Sequence, residues 1–261
     1  MEAKPEHQDT YEGLRDIIAR LRAPDGCPWD QEQTHTTMRR NLLEECYEAL
    51  DALDAGDSES LAEELGDVLM QIVFHCQIAE DNGEFTEADM FRHINEKLIR
   101  RHPHVFGDVV VKDAREVEAN WEETKKRERD ENVSVLDGVA RAMPALGYSQ
   151  AITFRASQAG FEWDDVSGVM DKVREEIGEL DAASTQAERE HEFGDILLSM
   201  VNVARWLHID AESALREANN RFYGRFTHIE AAARTQGRPM RDVPMAEKEA
   251  LWEEAKRAEG H

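Results

Sequence analysis

Residues 61–76 read Leu-Ala-Glu-Glu-Leu-Gly-Asp-Val-Leu-Met-Gln-Ile-Val-Phe-His-Cys. Leu61, Leu65, Val68, Leu69, Ile72, Val73 and Cys76 recur at intervals of three and four, the period of one helical face. Upstream, Leu42, Leu43, Cys46, Leu50 and Leu53 keep the same period, and Gly56-Asp57-Ser58 interrupts the two runs. Prolines stand at 5, 24, 28, 103, 144, 239 and 244, so residues 29–102 and 145–238 contain no helix breaker. Alternation of period two is nearly absent. Local signals agree: Gly83 after Asn82 reads as a helix C-cap, and Thr86 with Asp89 and Asp113 with Glu116 read as capping boxes. The fold class predicted is all-α.

The 261 residues are 41% apolar and 33% charged, enough for one large or two small domains. Lys plus Arg is 31 against 56 Asp plus Glu, a formal net charge of −25. That balance argues against binding of nucleic acid or an anionic membrane, which rests on clustered cations. No apolar run approaches the roughly 18 residues of a membrane span, and residues 1–7 carry no apolar signal region. Cys27, Cys46 and Cys76 are odd in number and lack CxxC spacing, so neither a disulfide framework nor a zinc ribbon is indicated. A soluble cytoplasmic protein is expected.

Gly138, Pro144 and Gly147 mark residues 132–147 as a linker between domains at 1–131 and 148–261. The second half repeats the first. Trp29-Asp30 matches Trp163-Asp164, Glu44-Glu45-x-x-Glu48 matches Glu175-Glu176-x-x-Glu179, and Glu64-x-Gly66-Asp67 matches Glu192-x-Gly194-Asp195. The offsets are 134, 131 and 128. Lys97 and Arg101 pair with Arg221 and Arg225 at offset 124, and Trp121 and Lys125 with Trp252 and Lys256 at 131. We read an internal duplication of one helical unit.

Within each unit the acidic residues form i, i+3 pairs that share a helix face. Four convergent carboxylates without His or Cys make a hard oxygen site, which suits Mg²⁺ or Mn²⁺ better than zinc. A single Glu-Glu-x-x-Glu is usually a solvated acidic face; its recurrence beside a second acidic pair favours metal. Gly66 and Gly194, helix-interior glycines that each cost about 1 kcal/mol against alanine, suggest a close approach at the backbone, by a neighbouring helix or by metal or phosphate. The i, i+4 cation pairs suit phosphate, and Trp121 and Trp252 offer indoles for base stacking as an alternative to plain core packing. Trp29 and Trp163 are expected to pack the loop entering the first carboxylate helix. Glu188-x-x-His191 has the spacing used in di-iron bundles but no counterpart in the first half, and a carboxylate-bridged metalloprotein is disfavoured on that ground.

This double motif resembles the MazG-type nucleoside triphosphate pyrophosphohydrolases, over nearly the whole span from Tyr11 to Ala258, including Gly26-Cys27-Pro28-Trp29-Asp30 and the run from Arg100 to Phe106. The resemblance implies tandem all-α domains, a homodimer, and Mg²⁺-dependent hydrolysis of nucleoside triphosphates to monophosphate and pyrophosphate with broad base tolerance. It implies metal ligation by Glu176, Glu179, Glu192 and Asp195, phosphate binding by Arg221 and Arg225, and nucleotide contact by Trp252 and Lys256. Glu45, Glu48, Glu64, Asp67, Lys97, Arg101, Trp121 and Lys125 stand in the same places in the first unit. Lys172 joins the candidate nucleotide-binding cations, and Glu175 and Glu176 are the candidate catalytic residues, Glu175 orienting or deprotonating the attacking water. A nucleotide-sensing or partner-binding module with little turnover is the alternative function.

Overall fold

The protein, described over residues 9–127 and 133–259 in a computed structural model, forms two compact units, 1–129 and 130–261. Among the described residues every regular element is a helix. The first unit contains α1 (Tyr11–Arg22), α2 (Pro28–Glu32), α3 (His35–Ala55), α4 (Ser58–Asn82), α5 (Glu87–Arg101), α6 (Pro103–Phe106) and α7 (Ala114–Arg127). The second contains α8 (Ala145–Gln158), α9 (Val166–Ala182), α10 (Gln186–Trp206), α11 (Ala211–Thr235), a 3₁₀ turn at Met240–Asp242 and α12 (Met245–Ala258). Helix α8 begins at Ala145, inside the stretch read as linker, with Pro144 at its N-cap. The 131/132 division falls within residues 128–132, outside the described residues.

Helix boundaries follow from local chemistry. Thr34, Thr86 and Thr185 close capping boxes, and Asp57, Asp165 and Asp210 cap α4, α9 and α11 by accepting orphan backbone N–H bonds. Gly56 and Gly83 end α3 and α4 in the left-handed region at φ 66° and 70°. Short loops then fold α3 on α4 and α9 on α10 as antiparallel hairpins, the most extensive helix pairings in each unit.

In the first unit Ile18, Met38, Val73, Phe74 and Ile78 form a core between α1, α3 and α4, with Tyr11, Leu14, Leu21 and Met70 packed against it. In the second, Val169, Val173 and Val203 join Trp163 and Trp206. Each hairpin leaves an apolar stripe uncovered. On α4 it is Leu65, Leu69 and Ile72, and on α10 Phe193, Leu197 and Met200, between 38% and 55% exposed at i, i+4, i+7. No helix among the described residues is long and apolar enough to cross a membrane.

Candidate active site

The two hairpins position the acidic residues. In α3 and α4, Glu45, Glu48 and Glu64 each offer an oxygen within 4.8 Å of the others, and in α9 and α10 Glu176, Glu179 and Glu192 do the same. Asp67 and Asp195 follow one turn after Glu64 and Glu192 on the same helices. Asp67 is close enough to raise the pKa values of Glu45 and Glu64.

The electrostatics of the two clusters differ. Burial first, and then Asp67 and Glu48, push Glu45 up; burial and the same neighbours push Glu64 up. The one hydrogen bond favouring Glu45's charge is a long one, 3.4 Å, from Gln71 Nε2. In the second unit Lys172 Nζ sits 2.7 Å from Glu176 Oε1 and 2.9 Å from Glu175 Oε1. It holds Glu176 below the usual carboxylate range, although Glu176 is only 4% exposed. Glu179, hydrogen-bonded to Glu176 and facing Glu192, is pushed up. One cluster thus contains its own cation, and the other, with Asn41 at the position 131 residues before Lys172, does not. Both fit a hard divalent cation: each brings three carboxylate oxygens within 4.8 Å of one another, and Glu45, Glu64 and Glu179, pushed up, are carboxylates short of positive charge.

His191, whose Glu-x-x-His spacing has no counterpart in the first half, places its Nε2 3.4 Å from Asp195 Oδ2, and its charge would favour an ionised Glu176. Glu188, its partner in the di-iron spacing, is occupied as a cap, accepting from Ser184 and Thr185 N–H at 2.8 and 2.9 Å. Gly66 and Gly194 have open space where a Cβ would stand, so no described helix packs on them just before Asp67 and Asp195. Trp163 packs as expected, half-buried against α9, where Gly168 makes room for it: a Cβ there would lie 2.7 Å from the indole. Trp29, at 57% exposed, does not.

The later cations and indoles meet one another. Arg225 lies 5.5 Å over the Trp252 ring and pairs with Glu259 at 2.6 Å, Arg221 pairs with Glu217 at 3.6 Å, and Lys256 with Glu253 at 3.0 Å. Arg101 lies 5.6 Å over Trp121 in the first unit, and Lys97 lines a groove along α5 with Arg100. The Lys125 side chain lies outside the described residues. Among the described residues the lysine paired with the second carboxylate cluster is Lys172.

Beside the second cluster, between α8, α9 and α10, opens a cavity of about 500 Å³ with Lys172, Glu176 and Asp195 on its wall. Sequence periodicity carries no signal for it, because it arises from small side chains on two separate helices.

Comparison with known proteins decides the family. The profile of the MazG nucleotide pyrophosphohydrolase domain matches residues 33–106, which contain α3, α4 and the first carboxylate cluster. The chain is 44% identical over 247 residues, 94% of its length and 95% of the other's, to the nucleoside triphosphate pyrophosphohydrolase/pyrophosphatase MazG of Thermotoga maritima. The chain belongs to the MazG family. It is also 43% identical to the nucleoside triphosphate pyrophosphohydrolase of Escherichia coli K12, over 94% of this chain and 97% of that one. An uncharacterized protein of Bacillus subtilis, YabN, is 45% identical over 95% of this chain and 52% of its own length. The matched MazG region thus coincides with one carboxylate hairpin, and the full-length relatives extend the likeness over both.

Proposed function

We propose that the protein hydrolyses nucleoside triphosphates to monophosphate and pyrophosphate, with broad base tolerance and with Mg²⁺, for which Mn²⁺ can substitute. The observation that carries this reading is the convergence of Glu176, Glu179 and Glu192 around a Lys172-held centre in a chain similar along its length to named pyrophosphohydrolases. Glu176, Glu179, Glu192 and Asp195 would hold the metal in the second unit, and Glu45, Glu48, Glu64 and Asp67 in the first. Bound there, Mg²⁺ supplies positive charge to the triphosphate and stabilises the leaving pyrophosphate. Without it the cluster repels its substrate, since like charges 4 Å apart cost about 4 kcal/mol at an effective dielectric of 20.

The chain's own groups do the rest. Water adds its oxygen to phosphorus, the α–β bridging P–O bond breaks, and pyrophosphate leaves. Glu175, exposed and held by Lys172 at 2.9 Å, takes the water's proton and returns it to solvent. Lys172 steadies Glu175 and Glu176 and faces the phosphates. Arg221, Arg225, Trp252 and Lys256, paired among themselves and with neighbouring acids, serve the nucleotide after exchanging those partners. We read the exposed stripes on α4 and α10 as the surface where a second copy packs, which makes the protein a homodimer of tandem MazG domains working in the cytoplasm. Assay of a triphosphate panel with Mg²⁺, with Mn²⁺ and with EDTA tests the reading. Turnover that persists in EDTA would overturn it.

A further inference from the structure

The cavity between α8, α9 and α10 is lined by small side chains where the first unit carries larger ones. Asn202 and Ser199 line it, each 7% exposed. The positions 128 residues earlier are Phe74 and Gln71. Phe74 is 3% exposed in the first core, and Gln71, 1% exposed, turns its amide toward Glu45. Ala156 lines the cavity on α8; 134 residues earlier stands Arg22, whose guanidinium lies 5.5 Å over the Phe74 ring and donates to the carbonyls of Asp30 and Gln33 at 2.5 and 3.1 Å. The space that large side chains fill in one unit is open in the other.

A buried amide and hydroxyl are costly beside apolar walls unless something bonds to them. Asn202 Nδ2 reaches Leu198 O at 3.4 Å, a weak bond that leaves the carboxamide with donor and acceptor capacity to offer. Around it stand Ile152, Trp163 and Phe161, the last 77% exposed at the rim. A ligand that fits must be flat and apolar on its faces, must carry donors and acceptors on its edge, and must connect to a polyphosphate at Lys172, Glu176 and Asp195 on the same wall. About 500 Å³ lies within the range of small-ligand pockets.

We propose that this cavity is the nucleobase subsite of the second carboxylate cluster, with Asn202 bonding the base edge and Trp163 and Phe161 flanking its faces. The proposal rests on the hydrolase reading above and adds to it the residues that recognise the base. A carboxamide can turn over to match either order of donor and acceptor. Asn202 therefore distinguishes a base from no base rather than one base from another, which agrees with broad tolerance.

The test is calorimetric binding, in Mg²⁺, of α,β-imido-ATP, α,β-imido-CTP and inorganic tripolyphosphate to the full chain and to N202L and N202F, with circular dichroism to verify folding. N202L keeps the branched side-chain skeleton and replaces the amide with two methyl groups; N202F installs the first unit's residue. The expected result is that the native chain binds both nucleotides at least tenfold tighter than tripolyphosphate, and that both variants lose that advantage while tripolyphosphate binding stays within twofold. Retention of the nucleotide advantage in folded N202L overturns the subsite assignment, as does parallel weakening of all three ligands. If the native chain hydrolyses nucleotides while N202L keeps the advantage, the subsite alone falls. If the native chain binds none of the three, the hydrolase reading falls and the subsite with it.

Discussion

Lys172 Nζ lies 2.7 Å from the Glu176 carboxylate across one turn of α9, and the carboxylate it holds is the most buried of the acidic cluster. In the first unit the equivalent positions are Asn41 and Glu45, and the pKa of Glu45 rises rather than falls. The same acidic pattern is thus wired differently in the two units.

Replacing Lys172 separates metal affinity from substrate affinity. In K172M the cluster loses its internal cation, so half-saturation by Mg²⁺ should shift to lower concentration while kcat/KM for ATP drops at least tenfold, about 1.4 kcal/mol. Asn41→Ala should change neither by more than twofold. Steady-state kinetics over a Mg²⁺ titration check this, and a loss of both affinities would place Lys172 in the scaffold instead.

The second unit should carry most of the turnover. Glu179→Gln keeps the side-chain shape while removing one anionic oxygen, and should cost at least 10²-fold in kcat, about 2.7 kcal/mol of barrier. Glu48→Gln should cost little. Equal losses would mean two working or coupled sites, and a loss confined to Glu48→Gln would assign turnover to the first unit.

Acid should destabilise the first unit through His75. Its Nδ1 lies 2.7 Å from Nδ1 of His35 on α3, and its Nε2 is buried without a partner. Glu84 faces His35 at 3.2 Å, and Phe85 stacks with that ring. Burial, then the His35 charge, holds His75 below the ordinary histidine value of 6.5. Between the lowered folded value and 6.5 the unfolded chain binds more protons, so stability is complete above about pH 6.5 and declines as pH falls below it. Thermal unfolding at pH 7.5, 6.5 and 5.5 should show that decline, and His75→Leu should flatten it.

Charge placed on the uncovered stripes should break the proposed dimer. Leu69→Glu and Leu197→Glu alter residues 38% and 45% exposed, so the helices should survive while light scattering shifts from twice the 29.8 kDa chain mass to once that value. A native chain that runs at 29.8 kDa at micromolar concentration would remove the second copy from the account.

Much of this was legible because it is local. The 3 and 4 spacing of Leu61 to Cys76, the Thr86 and Asp89 capping box and the i, i+3 acidic pairs are all settled within one or two helical turns. Contacts between helices were not. Trp29 and Trp163 share one dipeptide motif, yet only Trp163 packs half-buried on its helix: Gly168 clears a place for it, while the position 131 residues earlier is Thr37, whose hydroxyl is engaged at the start of α3. The sequence singles out Arg225 and Trp252 as candidate nucleotide-binding residues, but not that they face each other. The cavity depends on Ala156, Ser199 and Asn202 being small together, a coincidence across two helices that no periodicity records.

The most direct test of the central claim is product analysis by ion-exchange chromatography after incubation of the full chain with ATP and Mg²⁺. AMP and pyrophosphate should form in equal amounts, with neither formed in EDTA and at least 10²-fold less of both formed by Glu179→Gln. Formation of ADP and orthophosphate, or no turnover of any nucleoside triphosphate with Mg²⁺ or Mn²⁺, would contradict it.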